Sequence, residues 1–422
     1  MPGTPWRARL AVLGATTAIL FAACGGAATP TPAPATAAPT TAPTEAPFEA
    51  MVYPASGEAP CGVAPYTGNF KKVTAVDAKT VVFDLCNPDV AFLSKIAFSS
   101  FAINDTAWLE AKIDPTKTEN QAIVSEVNGT GAYTLKEWKR GSELVLEAFD
   151  GYWGAKALAP TVVMRWSSEA SQRLTELQAG TVDGIDNVGP TDFATVEADS
   201  SLALKPREGL NVFYVGFNNT FAPFDNEAVR QAIAQGIDRQ RIIDNFYPAG
   251  SEVASHFTPC SIPNGCAGDP WWSFNADAAK AALAAAGFPD GFKTTITYRD
   301  VVRGYLPDPN VVATDLQAQL KAIGVEAEIV VQESGTFLDN ADAGNIEGIH
   351  LLGWGADYPD ATNFLDFHFG AGSSKQFGNK FDDITAALQE GAAGTSDAAR
   401  EPSYVKANNA IRQHVPMIPI AH

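Results

Sequence analysis

Two short segments each combine one fixed charge with an aromatic ring and turn-forming residues. The first is Arg303-Gly304-Tyr305-Leu306-Pro307-Asp308-Pro309; the second is Gly353-Trp354-Gly355-Ala356-Asp357-Tyr358-Pro359-Asp360. A guanidinium grips a carboxylate through parallel N–H donors, and an isolated aspartate accepts the protons of an ammonium. Arg303 and Asp357 therefore suit the two ends of a zwitterion, with Trp354, Tyr305 and Tyr358 as walls between them. A solvated arginine and a turn aspartate have the same composition, so residue types alone leave both readings open.

Nucleophilic and metal chemistry have no comparable set. The chain has no Gly-x-Ser-x-Gly elbow and no His-Glu-x-x-His pair. His256, His350, His368, His414 and His422 stand apart without helical pairing, and Asp382-Asp383 reads as a solvated helix start. No nucleophile–base set can be assembled, so neither an enzyme nor a cofactor is expected. A secreted hydrolase with two distant carboxylates is the alternative from another class.

Both charged segments follow strands. Thr294–Tyr298 and Ile349–Trp354 are apolar or β-branched runs, and Val325–Val331 alternates as a half-buried strand. Between them Asn275 caps an alanine-rich helix ending at Gly287, and Val311–Ala322 carries Val312, Leu316, Leu320 and Ile323 along one face. Strands alternating with helices predict a mostly parallel sheet covered on both sides, with ligands gathering at the carboxyl ends of its strands. Upstream, Asn211–Asn218 reads as a buried strand. Glu227–Phe246 reads as one helix, capped by Asp225 or Asn226, with Gly236 marking close packing. Lys72–Val76 with Thr80–Leu85, and Thr134–Trp138 with Glu143–Ala148, predict two hairpins.

The N-terminus speaks of export. Arg7 and Arg9 precede the apolar run Leu10–Ala23, too short to cross a bilayer and built like a secretory signal. It ends Phe21-Ala22-Ala23-Cys24-Gly25, which resembles the lipobox of bacterial lipoproteins; an ordinary signal peptide with an incidental Cys24 is the plainer alternative. Residues 1–23 are then signal and 24–60 a lipid-anchored linker, its Ala27–Pro47 stretch rich in Ala, Thr and Pro and suited to a semi-stiff spacer. With Cys24 assigned to lipid, four cysteines remain for an oxidising compartment. Neighbourhood in the chain favours Cys61–Cys86 and Cys260–Cys266 as disulfides; metal ligation is set aside for want of a Cys-x-x-Cys and of a histidine read together with these cysteines. The net charge of −19, with no basic cluster, excludes a nucleic-acid partner.

Taken in order, Val73–Asp77 with Val81–Phe83, Gly129–Tyr133, Gly151–Gly154, Leu177–Asp183, Phe224–Ala232 with Ile237–Arg239, Ala278–Lys280 with Ala286-Gly287, and the two charged segments resemble one family. It is that of the extracytoplasmic solute-binding proteins of ABC importers in the peptide/nickel class, solute-binding protein family 5. Coverage runs from about Tyr66 to the end. The resemblance implies an α/β, two-lobed, type II periplasmic-binding-protein fold. It also implies capture of a small peptide or peptide-like zwitterion for a membrane permease and its ATPase, by a monomer anchored outside the cytoplasm. In dipeptide-holding members an aspartate in the segment matching Trp354–Asp360 binds the amino group, which points to Asp357. An arginine upstream holds the carboxylate, which points to Arg303. Tyr305 and Trp354 would line the pocket, and Asn211 and Tyr214 fall in the inter-lobe segment. Oligosaccharide and metal-chelate carriers of the same family, or a lipid-anchored sensor, are the alternatives.

Against the family pattern, the usual long lobe I segment before Tyr66 is missing. The expectation is a partial lobe I at 61–217, lobe II at 218–415 and a return crossover toward lobe I at 416–422, in a chain that is incomplete or part of a permuted longer protein.

Overall fold

Charge-free runs such as Asn211–Phe217 are stable as strands only where neighbours cover both faces. The computed structural model describes residues 48–114, 116, 121–205, 207 and 209–422; the expected signal, Cys24 and linker residues 24–47 lie outside them. Along the described chain the strands are β1 (Met51–Tyr53), β2 (Phe70–Asp77), β3 (Thr80–Leu85), β4 (Tyr133–Lys139), β5 (Glu143–Ala148), β6 (Thr161–Arg165), β7 (Asn211–Phe217), β8 (Phe292–Arg299), β9 (Val325–Gln332), β10 (Ile349–Gly355) and β11 (Met417–Ala421). They form three sheets, ordered β1-β2-β3, β4-β5-β6 and β11-β7-β10-β8-β9.

The five-stranded sheet is mixed. β8 runs parallel to β9 from Phe292↔Val325 to Arg299↔Gln332, and to β10 through Ile349↔Ile296 and His350↔Thr297. β7 runs antiparallel to β10, from Asn211↔Gly355 to Phe217↔Ile349, and β11 antiparallel to β7. Parallelism is thus confined to β10-β8-β9, where helices intervene. β11 closes the sheet as an edge strand, which explains how it tolerates Pro419 in mid-strand.

Helices bury this sheet. Val229 and Ile233 of helix Glu227–Gly236 are wholly buried, as are Phe364 and Leu365 of helix Ala361–Phe369. Gly236 meets the expectation of close packing: a Cβ there would lie 2.5 Å from Ile323 Cδ1 and 3.3 Å from Ala279 Cβ. The single helix expected over Glu227–Phe246 is two. Ile237 turns extended, and Asp238 accepts from Arg241 N–H at 3.0 Å to cap a second helix, Arg239–Phe246.

The N-terminal part is held by two antiparallel sheets whose hairpins turn at Asp77↔Thr80 and Lys139↔Glu143, as the residue types require. Disulfides join Cys61 to Cys86 and Cys260 to Cys266, spanning 25 and 6 positions. In the chain-entropy picture each contributes about 2–3 kcal/mol. β7 belongs to the same sheet as β8, β9 and β10, so the chain changes sheet between β6 and β7. Met417–Ala421 joins that sheet too, because β7 pairs with β11 on the side that β10 leaves open. No described helix is long and apolar enough to cross a membrane.

Candidate functional site

Parallel neighbours end on the same side, so β8 and β10 deliver their following loops to one edge of the sheet. β7, running the other way, begins there, with Asn211 opposite Gly355. Asn211, Arg303, Tyr305, Trp354 and Asp357 therefore share the carboxyl edge of β8 and β10.

After β8, the backbone N–H groups of Arg303 and Leu306 exchange hydrogen bonds with each other's carbonyls at 3.1 and 3.0 Å, closing a small turn. Buried Leu306 pins that turn to the core. Arg303 itself is exposed, donates from Nη1 to the Val302 carbonyl at 3.0 Å, and makes no ion pair among the described residues. Tyr305 is fixed from three sides. Its ring lies against Gly353 of β10, where a Cβ would fall 2.3 Å from Tyr305 Cδ2. Its carbonyl accepts from Tyr247 O–H at 2.7 Å, and its hydroxyl accepts from Arg299 Nη2 at 3.2 Å. The Asn211 amide lies beside the same turn, its Nδ2 3.8 Å from where a Gly304 Cβ would be. His422 sits between the carbonyls of Asn211 (2.8 Å) and His256 (3.1 Å), and burial depresses its basicity.

After β10, one side chain organises the loop. Asn363 Oδ1 accepts from Trp354 Nε1–H at 2.9 Å and from the Asp357 backbone N–H at 3.0 Å, while its Nδ2 donates to Asp357 Oδ2 at 3.3 Å. Trp354 stacks on Phe367 at 4.2 Å between ring centroids and meets the His368 ring nearly at right angles, 5.0 Å away. Asp357 is half-buried and, among the described residues, has no ion pair. Lys95, from the helix Phe92–Ile96 of the N-terminal part, reaches to 5.6 Å from the Tyr358 ring while paired with Asp89 at 2.8 Å. Beneath the loop the electrostatics are those of a dry core. Burial pulls His350 and His368 down to about 4 and pushes Asp366 up to about 7.

Tyr214 lies beneath this edge, within the field of Tyr305 and Arg299. It is wholly buried in mid-β7, packs on Phe257, His368 and Phe377, and donates its hydroxyl to Gln376 Oε1 at 2.8 Å. β7 lies between β10 and β11 with both faces covered, and it meets the edge at its start, where Asn211 and Val212 pair with Gly355 and Trp354. Asn363, Phe367 and Arg299 are absent from the sequence expectation. Asn363 had one usable signal: a polar residue in the first turn of a helix capped by Asp360, next to a charged loop.

One His–Cys–Cys cluster exists among the described residues: His256 lies within 4.8 Å of the sulfurs of Cys260 and Cys266. His256 stands only four residues before Cys260, so the reading that kept a histidine apart from these cysteines needs correction. The sulfurs are joined to each other, and thiolate ligation needs them reduced, so the group does not fit a metal.

The mixed sheets with flanking helices have the architecture of the two-lobed periplasmic binding proteins. A dipeptide-binding protein from Pseudoalteromonas sp. SM9913 in complex with Met-Leu superposes with a TM-score of 0.75 at 24% identity, over 84% of this chain and 70% of that one. HbpA2 from Haemophilus parasuis superposes with a TM-score of 0.65 at 29% identity, over 84% and 70%. Residues 33–376 match the family described as Bacterial extracellular solute-binding proteins, family 5 Middle, and the chain belongs to that family. Among curated relatives, the dipeptide-binding protein of Escherichia coli is 29% identical over 370 residues, covering 83% of this chain and 66% of the relative. The heme-binding protein A of Haemophilus influenzae is 29% identical over 366 residues, covering 83% and 64%. The chain thus spans about two thirds of the length of these relatives.

Proposed function

We propose that the chain is the capture component of an ABC importer, which closes two lobes over a short peptide or similar zwitterion and passes it to a membrane permease driven by an ATPase. One observation carries this reading. Asp357 is a half-buried carboxylate given a fixed direction by Asn363 and no counter-charge among the described residues. Arg303 stands equally unpaired after the neighbouring parallel strand. A ligand bearing both an ammonium and a carboxylate neutralises the two together. Asp357 would take the ammonium and Arg303 the carboxylate, with Trp354 and Tyr305 packing on what lies between and Asn211 at the same edge. Two relatives are named for dipeptide or heme binding, and the first agrees with this charge pattern.

The protein is read as a binding protein without catalytic residues or cofactor, monomeric and exported. Lipid on Cys24 would hold it outside the cytoplasm, at about 0.8 kcal/mol per buried methylene. Cys24→Ala should move it from the membrane to the soluble fraction.

Calorimetry with free and N-acetylated dipeptides tests the ligand assignment. Wild-type protein should bind the free peptide far more tightly, and Asp357→Asn should remove that difference. Stripping a buried charge of its partner costs about 2–5 kcal/mol, a thirtyfold to several-thousandfold loss. Equal binding of free and acetylated peptides by the wild type would sink the ammonium assignment; tight binding of an uncharged sugar would make the protein an oligosaccharide carrier.

A further inference from the structure

Arg299 ends β8, just upstream of the Arg303 turn, and is partly buried. Its guanidinium donates to Ser334 Oγ at 3.0 Å and to Tyr305 Oη at 3.2 Å, both neutral hydroxyls. Other buried arginines of this sheet and its helices are compensated. Arg400 meets Asp360, and Arg230 is ringed by the carbonyls of Phe224, His414 and Val415. Arg299 has no ion pair among the described residues. A guanidinium carries five N–H donors in a planar fork, and two hydroxyls leave most of its charge unanswered.

The phenol beside it is equally committed. By accepting from Arg299, Tyr305 Oη turns its own hydrogen away from the guanidinium, free to donate elsewhere. Gly353 under the ring and Tyr247 on the carbonyl keep that hydroxyl from wandering. A charged donor and a hydroxyl donor are thus fixed side by side at the edge where Arg303 and Asp357 are presented.

The geometry points to a second anion-recognising pair, Arg299 with Tyr305 Oη, beside the Arg303 subsite. The ligand it favours is a zwitterion with one additional carboxylate, such as a peptide whose C-terminal residue is acidic. This inference rests on the zwitterion reading above and refines it. A terminal acidic residue places its side-chain carboxylate a few bonds from the main-chain one, matching two arginines carried on one strand and its following turn.

Calorimetry of the full, ligand-stripped chain with Ala-Glu and its isostere Ala-Gln separates side-chain charge from side-chain shape. Wild-type protein should bind Ala-Glu about tenfold tighter or more, the scale of a charge-assisted hydrogen bond. Arg299→Gln should bring the ratio of the two affinities near unity, and Tyr305→Phe should lower it part of the way. The wild-type ratio should also shrink as salt is raised, a readout that needs no variant and stands if Arg299→Gln does not fold. Equal affinity for the two peptides in the wild type, a preference that survives Arg299→Gln, or a ratio indifferent to salt overturns the inference and leaves the zwitterion reading standing. Binding of neither peptide overturns that reading and this inference with it.

Discussion

Asp360 and Arg400 face each other through two parallel hydrogen bonds, Nη1 to Oδ2 at 2.7 Å and Nη2 to Oδ1 at 2.8 Å, with both residues almost wholly buried. The pair ties the start of helix Ala361–Phe369 to helix Asp397–His414 and so anchors the loop that carries Asp357. Burial alone would raise the Asp360 carboxyl, but Arg400 and the Thr362 N–H and O–H groups hold it below its ordinary 3.8.

Breaking this pair from one side should be costly. Arg400→Met leaves the carboxylate buried and unpaired, at about 3–5 kcal/mol, whereas Asp360→Leu with Arg400→Met removes both charges and should recover much of that loss. Denaturant titration of the wild type, both singles and the double gives the coupling. A double variant as unstable as the sum of its singles would show that the two act independently. A depressed carboxyl contributes stability that is present above its unfolded value of 3.8 and lost as pH falls through the lower folded one, so the wild-type advantage should fade only below that value.

Asn363 positions two pocket groups at once. Asn363→Ala leaves the Trp354 indole N–H and the Asp357 backbone N–H without their shared acceptor, and each unsatisfied buried donor costs about 1–3 kcal/mol. The expected result is lower stability together with a loss of the free-over-acetylated preference, since Asp357 Oδ2 also loses its tether. Thermal melts and the same calorimetry check both. Retention of the full preference would show that Asp357 needs no such support.

How much was readable beforehand depended on whether the information was local. Period and turn chemistry placed the β2–β3 and β4–β5 hairpins, the strand at Val325–Val331 and the helix cap at Asn275, and narrowed another cap to Asp225 or Asn226, of which Asn226 serves. Pairing is not local. That β11 returns beside β7 depends on which edge of the sheet is vacant, and nothing in Met417–Ala421 records it. The break at Ile237-Asp238 escapes a four-residue period because Val229, Ile233 and Ile237 continue it straight through the gap. Tyr214 and Asn211 look alike as strand neighbours, yet the first is central and the second terminal, a difference set by sheet order. Asn363 and Arg299 find their partners outside their own elements, Asn363 on Trp354 and Asp357 and Arg299 on Ser334 and Tyr305, so what they hold is plain only once those elements are in place.

Asp366 should make stability depend on pH in the direction opposite to acid denaturation. Its Oδ2 is buried with no hydrogen-bond partner among the described residues, and burial pushes the carboxyl from 3.8 up to about 7. Lys95 and Arg400 pull it down, Asp360 pushes it further up, and the Tyr404 phenol lies within its field. The folded chain therefore holds an extra proton between these values. That contribution is complete below 3.8 and is lost as pH rises to about 7. Asp366→Asn should be more stable than the wild type by about 1–3 kcal/mol near pH 8 and close to it near pH 3.5. His350 and His368 titrate in both proteins and cancel in the comparison. Melting curves at the two pH values decide it, and an equal gain at both would rule out the titration.

Gly353 sets how closely Tyr305 approaches the sheet. A Cβ at this position would fall 2.3 Å from Tyr305 Cδ2 and 2.5 Å from the Val212 carbonyl oxygen, both well inside contact distance. The carbonyl is part of the β7–β10 ladder and cannot yield, while the ring can swing only by giving up its place beside Arg299 and Tyr247. Gly353→Ala should therefore cost about 1–3 kcal/mol, the usual penalty of overpacking, and weaken peptide binding with it. Adding Tyr305→Ala removes the ring that clashes but leaves the Val212 clash in place. The double variant should then regain part of the melting temperature and none of the affinity. A Gly353→Ala protein with wild-type stability and affinity would mean that Tyr305 does not rest on this strand in solution.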